Sequence, residues 1–212
     1  MKYGESFFDI LYLIFAIVMG FRILKASKPD SAGRFMGIAT LILGFGDAFH
    51  LVPRVLNYFV DADFTAALGV GKLVTSITMT VFYVIMLLIY KKLFGGGNLR
   101  TMYILAAIRV ILCLLPQNQW ITNEGSVTMG IIRNIPFVII GLMIVILYYI
   151  KRTEIRELRN VWILVALSFI FYIPVAVGAS VVPMLGMLML PKTVCYMILI
   201  YCFYRFVKRR DA

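Results

Sequence analysis

The sequence predicts an all-α integral membrane protein of seven transmembrane helices. Three observations lead there: 62% of the 212 residues are hydrophobic, only 15% are charged, and the apolar residues fall into seven long runs. A soluble domain of this length carries about 45–50% apolar and about 25% charged residues, so a water-soluble globule is excluded. Mean hydropathy is +0.95. A span needs about 20 apolar residues, which uses nearly the whole chain and leaves residues 1–212 as one transmembrane domain. A membrane β-barrel would instead show alternating segments of about ten residues, and the sequence has none.

The runs are Phe7 to Leu24, Met36 to Leu56, Leu68 to Tyr90, Thr101 to Leu115, Thr128 to Ile150, Val161 to Val181 and Met187 to Phe206. Breakers separate them: Lys28-Pro29-Asp30-Ser31, Gly95-Gly96-Gly97-Asn98, Pro116-Gln117-Asn118-Gln119 and a short turn near Gly178 to Pro183. The fourth run crosses only if it reaches about to Gln117, because roughly 17 residues at 1.5 Å rise give about 26 Å.

Orientation follows from the loops. Arg22, Lys25, Lys28 and Arg34, then Lys91, Lys92 and Arg100, then Lys151, Arg152, Arg156 and Arg159, and finally Arg205, Lys208, Arg209 and Arg210 place fifteen cations on one side. The other side has Lys2, Asp61, Asp63 and Glu124. Positive loops stay cytoplasmic, so the N-terminus is expected outside and the C-terminus inside, in the plasma membrane. The net charge of +11 then faces anionic membrane lipids, the expected partners, and implies no nucleic acid. The sequence assigns no oligomeric state.

Charges inside the runs are the informative ones. Asp9, Asp47, Lys72, Arg109, Arg133 and Lys192 lie within them, with His50 beside them and Glu5 and Arg54 near the ends. Each costs about 2.5–3.5 kcal/mol at a helix centre, so the six cost on the order of 15–20 kcal/mol unless the interior compensates. Counted from the helix ends, they gather in the outer half. That segregation implies a polar cavity open outward and lined by at least six helices. Asp47, His50 and Arg54 share one stripe at i, i+3 and i+7. Lys72, Ser76, Met79 and Tyr83 form another, Lys192, Cys195 or Tyr196, Leu199 and Phe203 a third, and Ser168 and Tyr172 stand at i, i+4. Together they describe a polar mouth above a floor of aromatic and Met side chains.

Pairs such as Asp9 with Lys72, or Asp47 with Arg109, would make these charges struts between helices. Yet Glu5, Asp9 and Asp47 face Arg54, Lys72, Arg109, Arg133 and Lys192, which leaves two cations unmatched. A carboxylate, phosphate or lipid headgroup would match them. The candidate ligand-binding residues are therefore Asp9, Asp47, His50, Arg54, Lys72, Ser76, Arg109, Arg133, Tyr172 and Lys192.

Small residues beside the charges, Gly44 and Gly46 before Asp47 and Gly69 and Gly71 before Lys72, suit close approach of the second and third helices. Pro53, Pro136, Pro174 and Pro191 lie in or at the ends of four spans and predict bends. A faint likeness between residues 1–92 and 128–210 is compatible with parallel three-helix repeats around a linker helix. With one histidine and three cysteines inside apolar runs, Cys113, Cys195 and Cys202, the sequence suggests neither a metal site nor a disulfide framework, and no cofactor.

In size and span number the chain resembles SWEET-type sugar transporters, but its charged interior departs from the amides and aromatics of a sugar site. Lys192 in the last helix is similar to the retinal lysine of microbial rhodopsins, yet Trp120 and Trp162 lie near membrane interfaces, away from any chromophore position. The Gly46-Asp47 step resembles one found in lysoplasmalogenases, over those two residues alone. Seven-helix zinc hydrolases of the ceramidase type need several histidines and are excluded.

Two functional readings follow from the residues. In one, Lys72, Arg109, Arg133 and Lys192 hold a small anionic or zwitterionic solute for transport while Asp47 and His50 exchange protons. In the other, Asp47 and His50 act as catalytic acid and base on a phosphate-bearing lipid. A ligand-sensing protein would need the same cavity without turnover.

Overall fold

The computed structural model describes residues 2–96, 100–178 and 182–210. It has seven α-helices: α1 (Lys2–Ala26), α2 (Ala32–Phe59), α3 (Thr65–Phe94), α4 (Arg100–Leu114), α5 (Val127–Ile150), α6 (Val161–Gly178) and α7 (Met189–Arg210). Gly97 and Asn98 of the third breaker, and residues 179–181 of the turn after α6, lie outside the described residues. The six helices other than α4 belong to segments long and apolar enough to cross a membrane. Their outward faces carry Ile14, Phe21, Ile139, Leu142, Ile146 and Ile170, all exposed. Helices apolar on both faces are at home only in lipid, and the chain is a multi-pass membrane protein.

Most helices overrun their apolar runs by a few residues, because hydrogen-bonded turns continue into the polar ends. Ser31 caps α2, its Oγ accepting from the Arg34 N–H at 3.2 Å. Gly95, at φ 67°, ends α3.

The fourth run ends where its breaker is, within one residue of the expected Leu115, and so does not meet the condition of reaching Gln117 as regular helix. Regular helix stops at Leu114, and Pro116–Asn118 forms a 3-10 turn instead. Pro116 lacks the N–H that would continue the helix. Two side chains take up the carbonyls left over: the Asn118 amide donates to Leu112, Cys113 and Leu115, and the Trp120 indole N–H to Cys113 at 2.8 Å. The chain nevertheless returns to the end of the bundle where α3 begins. Lys91 lies over the Tyr103 ring at one end of α4, and Lys72 Nζ donates to Asn123 Oδ1 at 2.7 Å beyond the other.

Neighbours in sequence are neighbours in space. Each helix packs on the next, α7 closes onto α1, α3 also touches α5, and α2 also touches α7. At the α2–α3 seam a Cβ on Gly71 would stand 2.7 Å from His50 Cα, so only glycine permits that approach. The core fills the half of the ring toward the ends of α1, α3, α5 and α7, where Met36, Phe82, Met86, Ile144, Val165 and Phe203 are fully buried.

Candidate functional site

At the opposite end the ring encloses a cavity of about 410 Å³. Six helices line it, α2 through α7, and exposed Gly125, Ser126 and Val127 form part of its rim. Eight of the ten expected site residues are on its wall: His50 and Arg54 from α2, Lys72 and Ser76 from α3, Arg109 from α4, Arg133 from α5, Tyr172 from α6 and Lys192 from α7. Asp9 and Asp47 stand behind the wall, toward α1. Among the described residues, the lining therefore brings together five cations and no carboxylate.

Strut pairing of Asp9 with Lys72, or Asp47 with Arg109, does not occur among the described residues. Asp47 Oδ2 accepts instead from the Tyr12 hydroxyl at 2.6 Å. Arg54 pairs with Glu5, which also accepts from the Tyr58 hydroxyl at 3.0 Å. Asp9 is buried, and its Oδ2 has no partner. Helical angles explain the division. Seven residues bring Arg54 within about 20° of Asp47, facing α1, whereas three residues turn His50 about 60° toward the cavity. Arg54 is long enough to reach both.

The other four cations form no salt bridge among the described residues and meet amides and rings, while Lys192 also feels the charge of Asp47 behind the wall. Arg133 donates to Asn118 Oδ1 at 2.6 Å and lies 4.4 Å over the Trp120 ring. Thus the group that terminates α4 also fixes an arginine of the cavity. Lys192 Nζ lies 4.9 Å from the Tyr172 ring and 5.7 Å from that of Tyr196. Lys72, at the exposed mouth, holds Asn123. Ser76 has spent its proton on the Lys72 carbonyl, 2.7 Å away.

Arg109 is the deepest. Only 2% exposed, its guanidinium stacks 3.4 Å from the centroid of Phe137, and its Nε and Nη1 have no hydrogen-bond partner. A π face stabilises a cation by about 0.5–2 kcal/mol, less than the several kcal/mol that a buried ion costs. Phe137 is itself held by Tyr83, Phe169 and Tyr172, with centroids 5.3, 5.1 and 5.8 Å away. Below it Tyr83 and Tyr196 join hydroxyls at 2.9 Å across α3 and α7. These rings and Met79 close the cavity, giving the expected aromatic and Met floor.

Sequence reasoning missed Phe137, Asn134, Asn118 and Asn123 as site residues. Phe137 carried a signal, since it follows Arg133 by four residues and so shares its stripe. Asn118 and Asn123 lie beyond α4, where no periodicity points. Compared with known proteins, the chain matches no family model, no curated protein and no solved structure, so its site is read from geometry alone.

Proposed function

We propose that this membrane protein binds a small anionic or zwitterionic solute in the cationic cavity and carries it across the bilayer. All seven helices cross in this reading, α4 with the help of its 3-10 turn, with the N-terminus outside, the C-terminus in the cytoplasm and the cavity open outward. The observation that carries it is the set Lys72, Arg109, Arg133 and Lys192, gathered around one cavity with no salt bridge to a carboxylate among the described residues. An unmatched cation in a membrane interior calls for an anion, and bound anion would neutralise several at once. The depth gradient favours capture from water: Lys72 is exposed at the mouth, Arg109 buried at the floor.

Transport needs the floor to open, and the Tyr83–Tyr196 contact between α3 and α7 is the seal that must part. The acid–base reading of Asp47 and His50 draws less support. His50 is on the wall, whereas Asp47 is engaged by Tyr12 behind it.

Native mass spectrometry of gently solubilised protein tests the binding step, with the double variant Lys72→Ala, Lys192→Ala beside it. A retained anionic mass that the variant loses is the expected result. Bare protein in both spectra, from equally well folded samples, would overturn it. Counterflow of that anion in proteoliposomes then tests transport; binding without exchange would leave a sensor.

A further inference from the structure

We propose that the ligand of this cavity is a single-chain anionic amphiphile, with its headgroup near Arg109, Arg133 and Lys192 and its acyl chain leaving sideways between α5 and α6. The proposal rests on the anion-binding reading above and adds the ligand's tail. A second depression, about 260 Å³, lies on the flank of these two helices. Its aliphatic walls are Ile131, Ile135, Val138, Ile139, Ile173 and Val177. Asn134, Tyr172 and Ala176 complete it, and the same three residues line the cationic cavity. The two spaces are divided by one layer of side chains.

That layer is slight. Tyr172 donates its hydroxyl proton to Asn134 Oδ1 at 2.8 Å, bridging α6 and α5, and Ala176 adds only a methyl group. Asn134 and Tyr172 each stand two residues before a proline, Pro136 and Pro174, inside their helices. Each proline removes the hydrogen bond to the carbonyl four residues earlier, at Ile132 and Ile170, and lets the helix bend beside the bridge. Parting the bridge joins a cationic chamber to an aliphatic slot. A charged head and an apolar chain require that pair of environments in contact.

A comparison groove separates this from ordinary lipid contact. Between α2 and α3 an equally apolar groove of about 350 Å³ holds Ile38, Phe45 and Phe49, and shares no residue with the cationic cavity. Annular lipid would occupy both grooves alike. An amphiphile anchored by its head would occupy only the one beside α5 and α6.

The test uses the full chain in detergent micelles, photolysed with a long-chain fatty acid bearing a mid-chain diazirine. A lysophosphatidate with the same chain runs in parallel, so that carboxylate and phosphate heads are told apart. Adducts from at least one probe are expected on residues 131–139 and 173–177, at least tenfold above those on residues 38–49. The fatty acid's uncharged methyl ester should not compete. Ile135→Trp and Val138→Trp, which fill the slot from outside the cationic cavity, should each lower labelling about tenfold while butyrate and inorganic phosphate bind within about twofold of the parent protein. Equal labelling of both grooves, competition by the ester, or undiminished labelling in both tryptophan variants would overturn the proposal. If butyrate or phosphate binds and neither amphiphile labels, the tail is wrong and the anion site stands. If nothing binds, and Arg109→Gln changes nothing, both readings fall.

Discussion

Both ends of the bundle are rich in arginine and lysine, yet they treat those charges differently. At the end where α1, α3, α5 and α7 finish, four cations find carboxylates near the surface, Lys92 with Asp30 at 2.9 Å, Lys151 with Glu154 at 2.6 Å, and Arg209 and Arg210 with Glu157 at 3.0 and 3.7 Å, while Lys91 and Arg152 lie over the Tyr103 and Tyr149 rings. The hydrogen bond from Lys151 to Glu154 holds that ammonium above its ordinary pKa. At the cavity end, Arg109, Arg133 and Lys192 are set against Phe137, Trp120 and Tyr172. A ring face attracts a cation without cancelling its charge. Carboxylates end the search for a partner; aromatic faces leave it open. The contrast separates cations neutralised by a carboxylate from cations that keep their charge against a ring.

The largest effect expected from breaking this contrast is at Arg109. Arg109→Gln should weaken the retained anion on the order of a hundredfold, the loss of charge-assisted hydrogen bonds of about 2–3 kcal/mol. Arg209→Gln, at the other end, should change binding less than about twofold. Titration of the identified anion against both variants compares them. Arg109→Met should also stabilise the anion-free protein by about 1–4 kcal/mol, because it removes an unmatched buried charge. A thermal melt without anion that falls below the parent would show that Arg109 is a structural strut.

Smaller effects sharpen the picture. Phe137→Leu keeps an apolar floor but removes the face under Arg109; anion affinity should drop about tenfold, within the range of a desolvated cation–π contact. Glu5→Gln leaves Arg54 without its carboxylate and adds a fifth unmatched cation to the wall, so affinity should rise about threefold, more at low salt. Asp30→Asn, where the aspartate side chain is 84% exposed, should move stability by about 0.5 kcal/mol or less, read from the melting midpoint.

What was legible in the sequence depended on contrast. Arg109 or Lys192 in an apolar run stands out, and its depth can be counted from the helix end. The seven runs likewise give the helices to within about five residues, the fourth to within one. Phe137 has no such contrast: one phenylalanine among sixteen, it is marked only by its spacing from Arg133, and the rings of α3 and α6 that surround it supply the rest. Asp47 shows the opposite case, behind the wall and not on it. Sharing a stripe with His50 placed it on the same face, but an apolar or polar stripe is about 100° wide and can meet two neighbours. Which neighbour each residue meets was decided by α1 closing against α2 and α7.

The shortness of α4 has an electrical consequence. Fifteen residues give about 22 Å, against about 30 Å of hydrocarbon, so a cavity mouth open to water above its end would reduce the insulating thickness. A membrane potential falls across what insulates. In the proposed orientation its steepest drop therefore lies below Arg109, through the aromatic floor. An anion entering as far as Lys72 crosses little of that field, while one passing Tyr83 and Tyr196 crosses most of it, about 2.3 kcal/mol per charge for each 100 mV. Capture should be nearly indifferent to voltage and translocation strongly dependent on it.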